Sequence, residues 1–158
     1  MSERSTRFQQ GLAAVGVILS LVFVGVEIRE NTQAVQGATV QAISDQGILH
    51  LLEGAADPDW IRILTLLNDG TRFRDLSPED QMRYNLRASV TARMMENRWR
   101  QRKLGVLGES SLSVSSGARN TDWYRSEHFR TFWQDANMAS LYEPDFVDFM
   151  ESEVMGIR

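Results

Sequence analysis

A chain of 158 residues and 18.0 kDa, 42% apolar and 24% charged, holds one modest domain plus an accessory segment and is neither disordered nor collagen-like. Its lack of cysteine excludes disulfides, a thiolate nucleophile and Cys-ligated zinc or iron–sulfur centres. A net charge of −4 without a basic tail gives no sign of nucleic-acid binding, and no nucleic acid is expected as a partner.

Residues 1–10 are a polar flank carrying Arg4 and Arg7. From Gly11 to Val26 the chain reads GLAAVGVILSLVFVGV, without a charge, and Ile28 extends the run. A helix over 11–28 would be about 27 Å long at ~1.5 Å per residue, close to the ~30 Å hydrocarbon core of a bilayer. Arg4, Arg7, Gln9 and Gln10 precede it, and Glu27, Arg29 and Glu30 follow. Two other readings compete. A cleaved signal peptide needs small residues at a cleavage site, but charged residues follow at once and the pair Ala34 and Ala38 lies well downstream. A buried helix of a soluble core suits the shortness of the strictly apolar stretch. The run predicts a single transmembrane helix in the plasma (inner) membrane, with the lipid bilayer as partner. Arg4, Arg7 and the amino terminus before the span, against Arg29 alone soon after it, put the N-terminus in the cytoplasm.

Residues 29–54 contain no proline, so the helix is expected to continue as a stalk. Leu21, Ile28, Val35, Ala42 and Leu49 recur every seven residues. Three positions after each stand Val24, Asn31, Ala38, Asp45 and Leu52. This a/d pattern predicts a coiled coil and a homo-oligomer, with Leu21, Ile28, Val35, Ala38, Ala42, Leu49 and Leu52 as its seam and Asn31 setting register. Gly37 and Gly47 beside the seam cost about 1 kcal/mol each relative to alanine and call for a helix against them. The alternative is that the same stripe packs on the chain's own later helices.

Residues 55–158 read as a small helical domain. Asp57-Pro58 opens a helix with Trp60, Ile61, Ile63, Leu64 and Leu67 as its apolar face, and Asn68-Asp69-Gly70 closes it. In Ser77-Pro78-Glu79-Asp80, Ser77 is the cap, Pro78 the first helical residue and Asp80 the third-position acid. That helix is expected to run to about Leu104, with Gly105 just past its end. Met82, Leu86, Val90 and Met94 form an apolar i+4 ridge on it. The Ser/Gly-rich segment 108–121 reads as a loop. Helical patterning resumes with Trp123, Tyr124, Phe129, Phe132 and Trp133, and again after Glu143-Pro144 with Phe146, Phe149, Met150 and Val154. The predicted fold class is all-α: an N-terminal transmembrane helix continuing into a long stalk helix, followed by the small helical domain.

The sharpest charge feature is Arg98-Trp99-Arg100-Gln101-Arg102-Lys103. Residues 82–104 carry net +6, while 31–81 and 105–158 carry −5 each. Either Arg98, Arg100, Arg102 and Lys103 hold anionic lipid headgroups, or the flanking acids neutralise them within the fold. Asp57, Asp59 and the acids from Glu143 to Glu153 read as solvated faces, since neither a Glu-x-x-His pair nor a calcium loop occurs. His50 reads as a stalk-surface or interface residue, and Glu127 and His128 as neighbours on different helix faces. There is no Gly-x-Gly-x-x-Gly, P-loop or Gly-x-Ser-x-Gly. No catalytic residue, cofactor or metal is expected.

Ile28-Arg29-Glu30-Asn31-Thr32, directly after the run, resembles the E-(I/L)-R-x-N-T signature of a large group of uncharacterised bacterial single-span membrane proteins. Further matches follow in the same order: Asp57-Pro58-Asp59, Leu76-Ser77-Pro78-Glu79-Asp80, Glu96-Asn97, Gln101 before Gly105-Val106-Leu107, Phe129-Arg130-Thr131-Phe132-Trp133 and Tyr142-Glu143-Pro144-Asp145-Phe146. Segment 109–121 departs from the more helical, Trp-containing stretch such proteins have there. The resemblance implies a single-span anchor and a helical domain, and no catalytic residue. The expected function is that of a non-enzymatic, membrane-anchored helical protein that self-associates or serves as an interaction module. The alternatives are a channel or transport component formed by a ring of copies, with Asn31-Thr32-Gln33 at its mouth, and an accessory subunit docked on other membrane proteins.

Overall fold

The computed structural model describes residues 3–108, 123–135 and 137–157, with side chains from residue 15 onward. Among these, every regular element is helical and no strand occurs. The chain divides into two compact units, Met1–Gln41 and Ala42–Arg158. The second begins inside the expected stalk rather than after it, because the last turns of the first helix pack on the helices that follow.

The first unit is a length of one helix, α1 (Glu3–Ala56). Its large apolar side chains from Val15 to Ile28 are all 47–66% exposed. The hydroxyls on this helix turn inward: Ser20, Thr32 and Thr39 donate to the carbonyls of Gly16, Ile28 and Val35 at 2.8–2.9 Å. Each is thereby satisfied without a partner outside the helix. Among the described residues no helix is long and apolar enough to cross a membrane. The described apolar stretch begins at Val15 and meets Glu27, whereas side chains 11–14 of the expected span lie outside the described ones.

The second unit holds the end of α1, then α2 (Pro58–Asn68), α3 (Pro78–Lys103), α4 (Glu127–Asp135) and α5 (Pro144–Phe149), which runs into a π-helical turn at Met150–Val154. The capping signals act as their chemistry demands. The Asp57 carboxylate accepts from the backbone N–H of Asp59 and Trp60, and Ser77 Oγ accepts from Asp80 N–H at 3.1 Å. The third-position acid does something else: Asp80 is buried and takes a two-pronged contact from Arg62 of α2. That guanidinium holds the Asp80 carboxyl below the usual carboxylate range. Gly105 closes α3 at φ +72°, where a side chain would be strained. Its N–H reaches Arg102 O and the Val106 N–H reaches Gln101 O, the paired bonds of a Schellman end.

Aromatic rings dominate the core. Tyr84 of α3 is fully buried among Trp60, Phe73, Trp123, His128 and Phe132, with ring centroids 5.2–6.4 Å away. Trp133 stacks on Tyr142 at 5.5 Å, and Trp99 meets Phe146 at 5.5 Å. Phe146, Phe149, Met150 and Val154 are buried as their spacing predicts.

Packing decides which of the apolar side chains on α2 and α3 turn inward. Ile61 points outward, so α2 packs through Ile63 and Leu67 with Trp60. The ridge Met82, Leu86, Val90 is exposed at 65, 66 and 47%, while α3 faces the core through Tyr84, Ala88, Ala92, Met95 and Trp99. Hydropathy favours the first series, but the small Ala88 and Ala92 let large rings close on the helix, and that packing decides which face turns inward. The expected loop 109–121 lies outside the described residues.

Candidate functional site

The surface with most features is the α1–α3 side of the second unit. On α1, the face turned to α3 is Gly47, His50 and Gly54, with Ile43 buried on the same side. A Cβ at Gly54 would stand 2.5 Å from an Arg87 guanidinium nitrogen, so the absence of a side chain makes room for that group. Gly47 faces Arg98 and Met94, which supplies the neighbouring helix its cost calls for; Gly37 has nothing close to it.

His50 is tied into this contact. Its Nε2 lies 3.1 Å from Thr91 Oγ1, and the Thr91 hydroxyl donates to Arg87 O at 3.0 Å. With its one proton so used, the threonine oxygen accepts, and Nε2–H donates. Arg87 donates to His50 O at 2.9 Å and lies over the Trp60 ring. Burial, then the charge of Arg87, lowers the His50 pKa; Glu53 opposes them. His50 is therefore an interface residue, between helices of one chain.

The expected seam does not coincide with the face that packs. Leu21, Ile28 and Val35 in the first unit, and Leu49 and Leu52 in the second, are 57–66% exposed, and Ala38 and Ala42 are exposed too. The second unit thus leaves apolar side chains in water on α1 (Leu49, Leu52) and on α3 (Met82, Leu86, Val90). An open groove of about 420 Å³ separates the two helices, lined by Gln46, Ser89, Val90, Arg93, Met94 and Asn97.

The basic run is largely matched with acids inside the fold. Arg100 pairs with buried Glu96 and with Glu143, each at 2.9 Å. Lys103 reaches Asp145 at 2.9 Å and lies over Trp99. Arg93 joins Glu96 at 2.8 Å and covers the Tyr142 ring. Arg98 lies against Gly47. The acids from Glu143 to Glu153 are accordingly not a purely solvated face: Glu143 and Asp145 hold α3, and Glu151 accepts from the Trp133 indole at 3.2 Å. Sequence reasoning had the charge balance that finds these pairs but not the partners.

Other candidates stay structural. Asp57 is a cap and Asp59 pairs with Arg62 and Arg83. Glu127 accepts from Thr131 and from the Phe73 N–H, while His128 meets the Tyr84 ring edge-on, its pKa lowered chiefly by burial. Burial raises the Tyr84 phenol and pushes Tyr124 up to about 12. The Tyr84 and Tyr142 hydroxyls have no hydrogen-bond partner among the described residues. No group of three or more metal-ligating side chains converges among the described residues. No family model, no curated protein and no solved structure matches the chain.

Proposed function

We propose that this chain is a non-enzymatic, membrane-anchored helical protein that self-associates and offers residues 42–157 as an interaction surface. The observation that carries the reading is the uncharged run Gly11–Val26, whose side chains from Val15 onward are exposed around the helix. So much apolar surface is stable only in lipid or against another protein. The seam of Leu21, Ile28, Val35, Ala38, Ala42, Leu49 and Leu52 supports self-association, because among the described residues each of these side chains is exposed. A channel made by a ring of copies is disfavoured, since Ser20, the one hydroxyl within the run, is turned onto Gly16 O and offers a pore no polar lining.

The test is fractionation followed by particle mass. Carbonate-washed membranes should retain the chain with residues near Arg7 intact, and the detergent-solubilised particle should weigh a small multiple of one chain. Full-length protein in the soluble fraction defeats the anchor. A particle containing other proteins in fixed ratio favours the accessory-subunit reading. Ala42→Glu, a charge on an exposed small position, should break the assembly without unfolding the second unit.

A further inference from the structure

We propose that the end of α1 within the second unit is a proton-released latch: with His50 neutral it lies docked on α3, and with His50 charged it comes away while the rest of the unit stays folded. This goes beyond the self-association proposed above and does not depend on it.

The core is complete without α1. Its buried cluster begins at Ile63, ends at Met155 and takes no residue from α1. Between Val15 and Ala56 only Ile43 and Gly54 are buried. What else joins this helix to α3 is Met94, which lies at Gly47, and a set of polar groups. Arg87 donates to His50 O at 2.9 Å and fills the notch at Gly54, while Arg98 fills the one at Gly47. His50 Nε2 donates to Thr91 Oγ1 at 3.1 Å. An element held by so few buried apolar contacts opens at a lower cost than the unfolding of the core.

The joint gathers positive charge. From α3 it receives the guanidinium of Arg87 beside the His50 carbonyl, and that of Arg98 one turn away. From α2 it meets the uncharged ring of Trp60, over which Arg87 lies. On α1 itself Glu53 draws a proton toward His50, but burial and Arg87 outweigh it. His50 is the one group here that changes charge between about pH 5 and 8. Its Nε2–H already serves Thr91, so the added proton goes to Nδ1. The imidazolium then stands partly buried beside a fixed cation, and separation of α1 from α3 returns both to water. Docking lowers the affinity of His50 for that proton, so by linkage the proton favours release, on the acid side of about pH 6.5.

Spin labels read the joint directly. Gln46→Cys and Val90→Cys place one label on each wall of the groove between the helices, both at exposed positions, and the native chain has no cysteine. Labelled full-length chains are diluted in unlabelled ones, so that only distances within one chain are measured. At about pH 7.5 one short distance should dominate, and at about pH 5.5 the ratio of a longer population to the short one should rise several-fold. Near-ultraviolet circular dichroism of the packed rings should keep most of its amplitude. In His50→Gln, which retains a donor for Thr91, the short distance should persist at both pH values; in His128→Gln the shift should remain. An identical distance distribution at both pH values overturns the latch. So does a shift that survives His50→Gln or disappears in His128→Gln, because the proton then acts elsewhere. A shift accompanied by collapse of the aromatic dichroism also overturns it, since α1 would then be part of one cooperative fold. If His50→Gln shows the long distance already at about pH 7.5, the imidazole contact rather than its charge holds the helix, and the proton-release mechanism is refuted.

Discussion

Replacing Glu96 with Gln tests whether the basic helix is held by the fold. The Glu96 side chain is 7% exposed, with Arg93 at 2.8 Å on one oxygen and Arg100 at 2.9 Å on the other. Glutamine keeps the volume, but its amide presents an acceptor to one arginine and a donor to the other. One charge-assisted hydrogen bond, worth about 1.5–3 kcal/mol, is lost outright and the second loses its charge. Both arginines are about half exposed, at 54 and 50%, so water recovers part of the loss. The net expectation is about 2 kcal/mol of destabilisation, or roughly 8 °C in Tm at ~4 °C per kcal/mol for a unit of this size. All four tryptophans (Trp60, Trp99, Trp123, Trp133) lie in the second unit, so their fluorescence follows its unfolding in the full-length protein without interference from α1 before residue 42. Urea titration of parent, Glu96→Gln, Arg100→Met and the double variant gives a double-mutant cycle. A Glu96→Gln variant within about 0.5 kcal/mol of the parent, the range of ordinary surface changes, would refute the reasoning. Anionic vesicle binding lost at constant stability would return these arginines to the lipid-headgroup reading.

Tyr84→Phe removes a buried hydroxyl that has no partner among the described residues and should raise stability by about 1 kcal/mol; a loss of that size in urea titration would reveal a bond to that oxygen. His50 and His128 are both held below their ordinary pKa in the folded state, so the unfolded chain binds protons first as pH falls. Stability is therefore full above about pH 7 and declines as pH drops below about 6.5. His50→Gln, measured by the same fluorescence at several pH values, should flatten that decline in part, the rest belonging to His128. An unchanged slope would separate His50 from it.

The residues that end and begin helices were legible in the sequence, because caps act over a few residues and need no tertiary partner. Asp57-Pro58, Ser77-Pro78 and Gly105 each do in the structure what their local chemistry prescribes. The net +6 helix between two acidic segments was equally legible. What the sequence could not rank was competing faces of one helix. On α3, Met82, Leu86 and Val90 outrank Tyr84, Ala88 and Ala92 in hydropathy, yet the second series is buried because its small and flat side chains fit the rings of α2, α4 and α5. On α1 the heptad drew attention to Leu49 and Leu52, while Gly47, His50 and Gly54 make the contact with α3. A glycine has no hydropathy to signal a close approach. Its role depends on what stands opposite, which for Gly54 is the Arg87 guanidinium, two helices on. The pairing of Arg100 with Glu143 and Lys103 with Asp145 is of the same kind: composition fixed that the charges must balance, and only the packing of α5 beside α3 decided which carboxylate meets which cation.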